Sequence, residues 1–112
     1  MAIPELQQQL REFVAARDWQ RYQTPKNLVM ALTGEVGELA EIFQWLTSDE
    51  SASVMNTPER AEHVRDEIAD VLAYLLRLCD VLGFDPEAAL AEKMIKNAAK
   101  YPVPVQLPES SV

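Results

Sequence analysis

Two pairs of acidic residues have the spacing best suited to chemistry in this chain. Glu35 and Glu38 stand three positions apart, and so do Glu67 and Asp70. Residues three positions apart on a helix project from nearly the same face, about one turn from each other. Each pair therefore presents two carboxylates side by side, and carboxylate oxygens are ligands that hard divalent cations prefer.

Bringing the two pairs together would need such a cation, because like charges within a few ångströms raise one another's pKa and destabilise the fold. Mg²⁺, with Mn²⁺ as a substitute, is the expected ion. Zinc is disfavoured because no Cys or His is expected near the seam where the two pairs would meet, and His63 is expected on the surface. The chain also lacks the Glu-x-x-His motif of the di-iron carboxylate bundles.

Two long segments carry apolar residues at steps of three and four, which predicts amphipathic helices. The two stripes are Leu28, Leu32, Val36, Leu39, Phe43 and Leu46 on the first segment, and Val64, Ile68, Val71, Leu75, Cys79 and Leu82 on the second. We expect the helices to pack antiparallel with these stripes buried. The acidic pairs lie at the stripe edges, so the four carboxylates should converge on one seam.

Prolines and caps set the expected boundaries of four helices, at about 4–20, 25–47, 58–82 and 86–100. Thr24, Thr57 and Asp85 are good N-cap residues that directly precede prolines, and Gly83 stands where a C-cap glycine belongs. The polar stretch 48–56 is predicted to be a loop. The chain should therefore form an all-α, four-helix bundle over residues 1–102, followed by an irregular tail over 103–112.

The composition narrows the possible functions. The 112 residues suffice for one domain, and a formal net charge of −8 argues against binding nucleic-acid polymers. No apolar run is long enough to span a membrane, and the start of the chain lacks the features of a secretory signal. With a single cysteine no internal disulfide can form, so a cytoplasmic protein is expected. Four short helices make a thin core, which favours self-association.

Several runs resemble one known family. Residues 34–41 (GEVGELAE) and 66–71 (DEIADV) resemble the Glu-x-x-Glu and Glu-x-x-Asp signature of the MazG-like all-α nucleotide pyrophosphohydrolases. Residues 16–19 (ARDW), 24–28 (TPKNL), 43–45 (FQW) and the stretch 93–102 look like the dCTP pyrophosphatase branch. The resemblance covers roughly residues 10–102. It implies a bundle that assembles as a homo-dimer or homo-tetramer with sites near subunit contacts.

The resemblance also implies a reaction and the residues that perform it. Members convert a nucleoside triphosphate to the monophosphate and pyrophosphate and require Mg²⁺. By motif position, the metal ligands and catalytic residues would be Glu35, Glu38, Glu67 and Asp70, and the substrate-binding residues would be Trp19 and Trp45 at the base with Tyr74, Lys93 and Asn97 at sugar or phosphate. For the reaction itself, one of the four carboxylates would act as the general base, and the pair Glu35 and Glu38 is favoured for this role.

Three hypotheses about the function follow. The first is a Mg²⁺-dependent pyrophosphohydrolase for dCTP or related, including modified, dNTPs. The second is a broad-specificity house-cleaning enzyme, because Leu10 stands where eukaryotic dCTP enzymes of the family have a histidine near the base. The third is a non-catalytic helical bundle that binds a partner through its acidic surface. The tryptophans could equally be core residues, and the lysines of the last helix a solvated face.

Overall fold

The computed structural model describes residues 1–105, and within them the chain is helical with no strand. The helices are α1 (Ile3–Ala16), α2 (Pro25–Phe43), α3 (Ser48–Ala52), α4 (Pro58–Leu82) and α5 (Pro86–Lys100), with 3-10 turns at Gln20–Tyr22 and Val54–Asn56. The all-α prediction is confirmed. The four predicted helices are the four long ones, and α3 is an additional helix of five residues.

Most of the predicted caps form. The Thr24 hydroxyl accepts a hydrogen bond from the backbone N–H of Asn27 (3.2 Å), and the Asp85 carboxylate accepts one from Glu87 (2.9 Å). Gly83 ends α4 with a φ of 79°, in the left-handed region that suits glycine. Thr57 precedes α4, but its side chain makes no capping hydrogen bond to the described residues. Thr57 therefore occupies the predicted N-cap position, without a side-chain cap.

Three predicted boundaries are wrong. Helix α1 ends at Ala16 rather than near residue 20, because the chain turns at Asp18, where φ is 54°. Helix α2 ends at Phe43, and the segment predicted as a loop, 48–56, contains α3 and a 3-10 turn. The cause of the last error is a capping box at Thr47, whose side chain and backbone both bond to Glu50.

Helices α2 and α4 form the closest pair, and α1 packs on α4. The two central helices are antiparallel, since the start of α2 at Asn27 and Leu28 meets Tyr74 in the second half of α4. Leu28 is only 1% exposed and lies in the core with Val64 and Cys79. The expectation that Cys79 is a small buried apolar residue is confirmed.

Other apolar residues of the two stripes lie outside this core. Val36, Ile68, Leu75 and Leu82 are between 41% and 53% exposed, so the prediction that they are buried is wrong for the single chain. Helix α5 contains no buried residue. Its Leu90, Met94 and Ile95 are all largely exposed. One copy of the chain therefore leaves apolar helix faces uncovered by the described residues.

The predicted tail is described only in part. Residues 102–105 have no regular secondary structure, and the rest of the tail, 106–112, lies outside the described residues. The division into a domain over 1–102 and a tail over 103–112 stays a prediction. Among the described helices, none combines the length and apolar content needed to cross a membrane.

The burial of Leu28 gives a test of this packing. Leu28→Ala should lower the free energy of unfolding by about 2–5 kcal/mol, because it leaves a cavity between α2 and α4. Val103→Ala, at a site 87% exposed, should change it by less than about 0.5 kcal/mol. Urea denaturation of both variants measures the difference. Equal stabilities for the two variants would contradict the described core.

Candidate active site

Three of the four predicted carboxylates meet between α2 and α4. Glu35, Glu38 and Glu67 each offer one carboxylate oxygen, and these oxygens lie within 4.8 Å of one another. Glu35 and Glu67 are partly buried, whereas Glu38 is exposed to solvent. We call these three residues the acidic cluster. Its members come from two helices separated by the segment 44–57, and the pairing of these helices brings them together.

Two oxygens of the acidic cluster lack a partner. Glu35 Oε2 and Glu67 Oε2 are buried and accept no hydrogen bond from the described residues. Leaving a buried acceptor unpaired costs about 1–3 kcal/mol, and more when the group is charged. A divalent cation with a preference for oxygen ligands would satisfy both atoms and offset the repulsion among the carboxylates. The cluster therefore fits a metal ion by its donor set and by its unpaired buried atoms.

The surroundings of the cluster raise its pKa values. Burial, reinforced by the charges of Glu38 and Asp70, raises the pKa of Glu35 from 4.5 to about 7. Burial and the neighbouring Glu38 also raise the pKa of Glu67. Near neutral pH, the cluster without a cation thus holds a proton that an ordinary glutamate would have lost.

Asp70 and His63 lie beside the acidic cluster. Asp70 is exposed, and its oxygens are not among those within 4.8 Å, although its charge reaches Glu35. His63 is exposed as expected, but its Nε2 lies 3.5 Å from Glu67 Oε1. The expectation that no histidine lies near the seam is therefore wrong. The cause is the four-residue spacing of His63 and Glu67, which places them on one face of α4.

An open pocket of about 340 Å³ lies against the first half of α2. Its lining consists of Trp19, Tyr22, Gln23, Asn27, Leu28, Ala31 and Tyr74. A second cavity of about 190 Å³ shares Trp19, Gln23 and Tyr74 with it and reaches Leu10, Asp70 and Arg77. We call the two together the aromatic pocket. Trp19 is 46% exposed, so it is half available to a ligand.

The ring of Trp19 is held in place by its neighbours. It meets Phe13 edge to face, with ring centroids 5.7 Å apart. The Arg17 guanidinium lies over the Phe13 ring, 3.5 Å from its centre, and donates to the Phe13 carbonyl. The turn at Asp18 makes this arrangement possible, because it folds Trp19 back against the end of α1. An indole fixed in this way is a suitable stacking surface.

The aromatic pocket and the acidic cluster are adjacent. Ala31 lines the pocket and stands one helical turn before Glu35 on α2. Asp70 lines the second cavity and also acts electrostatically on Glu35. From Ala31 to Glu38 the helix rises by roughly 10 Å. A planar group in the pocket and a charged group at the cluster could thus belong to a single ligand.

Three of the predicted substrate-binding residues lie far from this site in the structure of a single chain. Trp45 is 86% exposed and follows the end of α2, whereas Trp19 precedes its start, about 28 Å away along the helix. Lys93 and Asn97 lie exposed on α5, which is not among the closely packed helices. Within the described residues, these three side chains do not join Trp19 and Tyr74.

Comparison with known sequences decides the family. Residues 31–110 match the MazG-like family. The chain belongs to that family. The matched segment contains the whole acidic cluster, and the all-α fold described above agrees with the bundle expected for a member.

Individual relatives point the same way. The chain is 42% identical over 92 residues to dCTP pyrophosphatase 1 of Mus musculus and 43% identical over 91 residues to that of Homo sapiens. The matches cover 82% and 81% of this chain, which spans about half the length of these curated relatives. A crystal structure of a pyrophosphatase from Archaeoglobus fulgidus superposes with a TM-score of 0.84 at 50% identity. It covers 89% of this chain and 92% of that one.

Sequence reasoning missed several residues of the aromatic pocket, among them Gln23 and Arg77. Gln23 lines both cavities, and Arg77 is buried in α4 with its Nε 2.9 Å from Gln23 Oε1. The signal was present for Arg77, because an arginine interrupts an otherwise apolar run, YLLRLC. A buried arginine needs acceptors, and this one finds them in Gln23 and Asp80.

The raised pKa of Glu35 predicts how stability depends on pH in the metal-free protein. Between pH 4.5 and about 7, Glu35 stays protonated in the folded chain but ionises in the unfolded chain. The folded state then binds more protons, so the free energy of unfolding should fall as pH rises through this window. Denaturation in EDTA at pH 5 and pH 8 measures the fall. Glu35→Gln should reduce it, whereas the exposed control Glu41→Gln should not. A fall that Glu35→Gln leaves unchanged would contradict the assignment.

Proposed function

We propose that this chain is a Mg²⁺-dependent nucleoside triphosphate pyrophosphohydrolase. Its substrate would be dCTP or a related dNTP, and its products the monophosphate and pyrophosphate. The observation that carries the proposal is the position of a carboxylate cluster with two unpaired buried oxygens beside an aromatic pocket. Membership of the MazG-like family and the names of the relatives support the same reaction.

Glu35, Glu38 and Glu67 would hold the metal, with Asp70 as the fourth carboxylate at the edge of the cluster. Mg²⁺ is the proposed ion because the donors are all carboxylate oxygens, and Mn²⁺ could replace it for the same reason. When bound, the ion supplies charge neutralisation for the triphosphate and orients its oxygens.

The remaining residues of the site would bind and orient the nucleotide. Trp19 would stack on the base, for which base–aromatic contacts are worth about 1–3 kcal/mol. Tyr74, which lines both cavities of the aromatic pocket, would contact the sugar. The triphosphate would then extend along α2 toward the acidic cluster, at the distance that a nucleotide spans.

Hydrolysis at the α-phosphorus needs a base for the attacking water. A carboxylate of the pair Glu35 and Glu38 would accept the proton as the new P–O bond forms and pyrophosphate leaves.

A second copy of the chain would complete the site. Trp45, Lys93 and Asn97 are exposed and distant from the aromatic pocket within one chain. Uncovered apolar residues accompany them, notably Met94 and Ile95 on α5. We therefore propose a homo-dimer or homo-tetramer in which these residues reach the base or phosphates of a neighbouring subunit. A cytoplasmic location stays a prediction from the sequence.

A matched pair of glutamate variants tests the proposed activity. Glu38→Gln should reduce Mg²⁺-dependent pyrophosphate release from dCTP by at least about 100-fold, because it removes a ligand charge from the cluster. Glu41→Gln changes an exposed glutamate one turn further along α2 and should leave turnover within about twofold of wild type. The assay separates pyrophosphate from orthophosphate. Wild-type turnover by Glu38→Gln, or release of orthophosphate, would refute the assignment.

A further inference from the structure

Gln23 occupies a special place in the aromatic pocket. It follows the 3-10 turn Gln20–Tyr22 and precedes the cap residue Thr24, so its backbone is held by structure on both sides. Its side chain is partly buried and lines both cavities of the pocket. It is also in direct contact with Arg77, which is 8% exposed and carries the only buried charge among the described residues.

The contact with Arg77 fixes which way the Gln23 amide points. A guanidinium has hydrogen-bond donors and no acceptor, so its partner on Gln23 must be the carbonyl oxygen. The Arg77 Nε donates to Gln23 Oε1 at 2.9 Å. The amide nitrogen Nε2 therefore faces the other way, and it donates no hydrogen bond to the described residues.

Arg77 is itself held in position by Asp80. Its Nη1 donates to Asp80 Oδ2 at 3.0 Å, and the other oxygen of the same carboxylate accepts from Arg11 on α1. Asp80 thus balances the buried charge and joins α1 to α4. Because Asp80 fixes the Arg77 guanidinium, rotation of the Gln23 amide by 180° would place an N–H group against a guanidinium N–H.

We propose that Gln23 determines base specificity by presenting an N–H donor to the edge of the base, and that Arg77 is the positioning residue that fixes this orientation. The inference rests on the proposed function, because it takes the aromatic pocket as the base site. A donor in this position suits cytosine, whose ring edge carries two adjacent acceptors, O2 and N3. Thymine keeps the acceptor at O2 but carries an N–H donor at N3, so this edge offers the amide one acceptor instead of two adjacent ones. A site built to hydrogen-bond one group discriminates against an analogue that lacks it.

Binding of nucleoside monophosphates tests the inference without needing hydrolysis. Isothermal titration calorimetry of the whole protein with dCMP and dTMP should show tighter binding of dCMP to wild type. Gln23→Leu should weaken dCMP binding by about tenfold, the loss of one hydrogen bond to a partly buried group, and change dTMP binding by less than about threefold. Gln20→Leu is the control, because Gln20 is exposed in the neighbouring 3-10 turn, and it should leave the affinities for dCMP and dTMP unchanged.

The role of Arg77 has its own test. Arg77→Lys keeps the charge near Asp80, but a single ammonium cannot hold both Asp80 and Gln23 in the geometry of the guanidinium fork. The ratio of the dCMP and dTMP dissociation constants should move toward one. With the triphosphates, the loss should fall on KM for dCTP while kcat stays within about threefold, which a general loss of structure would not produce.

The outcomes separate this inference from the proposed activity. Equal dCMP and dTMP affinities in wild type, or a ratio that Gln23→Leu leaves unchanged, would overturn the inference even if pyrophosphate is released. An absence of pyrophosphate release would refute the proposed activity. Discrimination between the monophosphates that depends on Gln23 would still support the inference in that case.

Discussion

The convergence of like charges between α2 and α4 is the constraint on which the rest of the structure depends. Leu28 on α2 and Val64 on α4 are both buried. The pairing of the same two helices brings Glu35 and Glu67 together, and each of these residues has a buried carboxylate oxygen without a hydrogen bond from the described residues. Protonation near neutral pH relieves the repulsion only in part. A divalent cation would relieve the remainder, and the packing of α2 against α4 would hold the carboxylates in a geometry suited to such an ion.

The aromatic pocket depends on a second, local device. The chain turns at Asp18, whose φ is positive, and this turn brings Trp19 back against Phe13. The 3-10 turn that follows places Gln23 in the lining of the same pocket. Stacking alone would accept any base. On the proposal that this pocket binds a base, the Gln23 amide held by Arg77 would add a fixed donor to this surface. Stacking would then supply affinity, and the donor would supply selection.

How much could be predicted from the sequence depends on the range of the interactions involved. The caps at Thr24 and Asp85 follow from local spacing, so the pattern sufficed for them. The pairing of the two acidic helices could be predicted because each carries a long apolar stripe that needs a partner. The exposure of Ile68 could not be predicted, because periodicity finds an apolar face without showing what covers it. The contact between Gln23 and Arg77 joins residues 54 positions apart, and no short motif encodes it.

Counting protons during metal binding tests the central claim most directly. If the acidic cluster shares a proton that a cation displaces, Mg²⁺ titrated into the protein at pH 6 should release about one proton per ion, and almost none at pH 8.5. Calorimetry in buffers of different ionisation enthalpy gives this number. Mg²⁺ binding at pH 6 with no proton release, or no Mg²⁺ binding at either pH, would contradict the account.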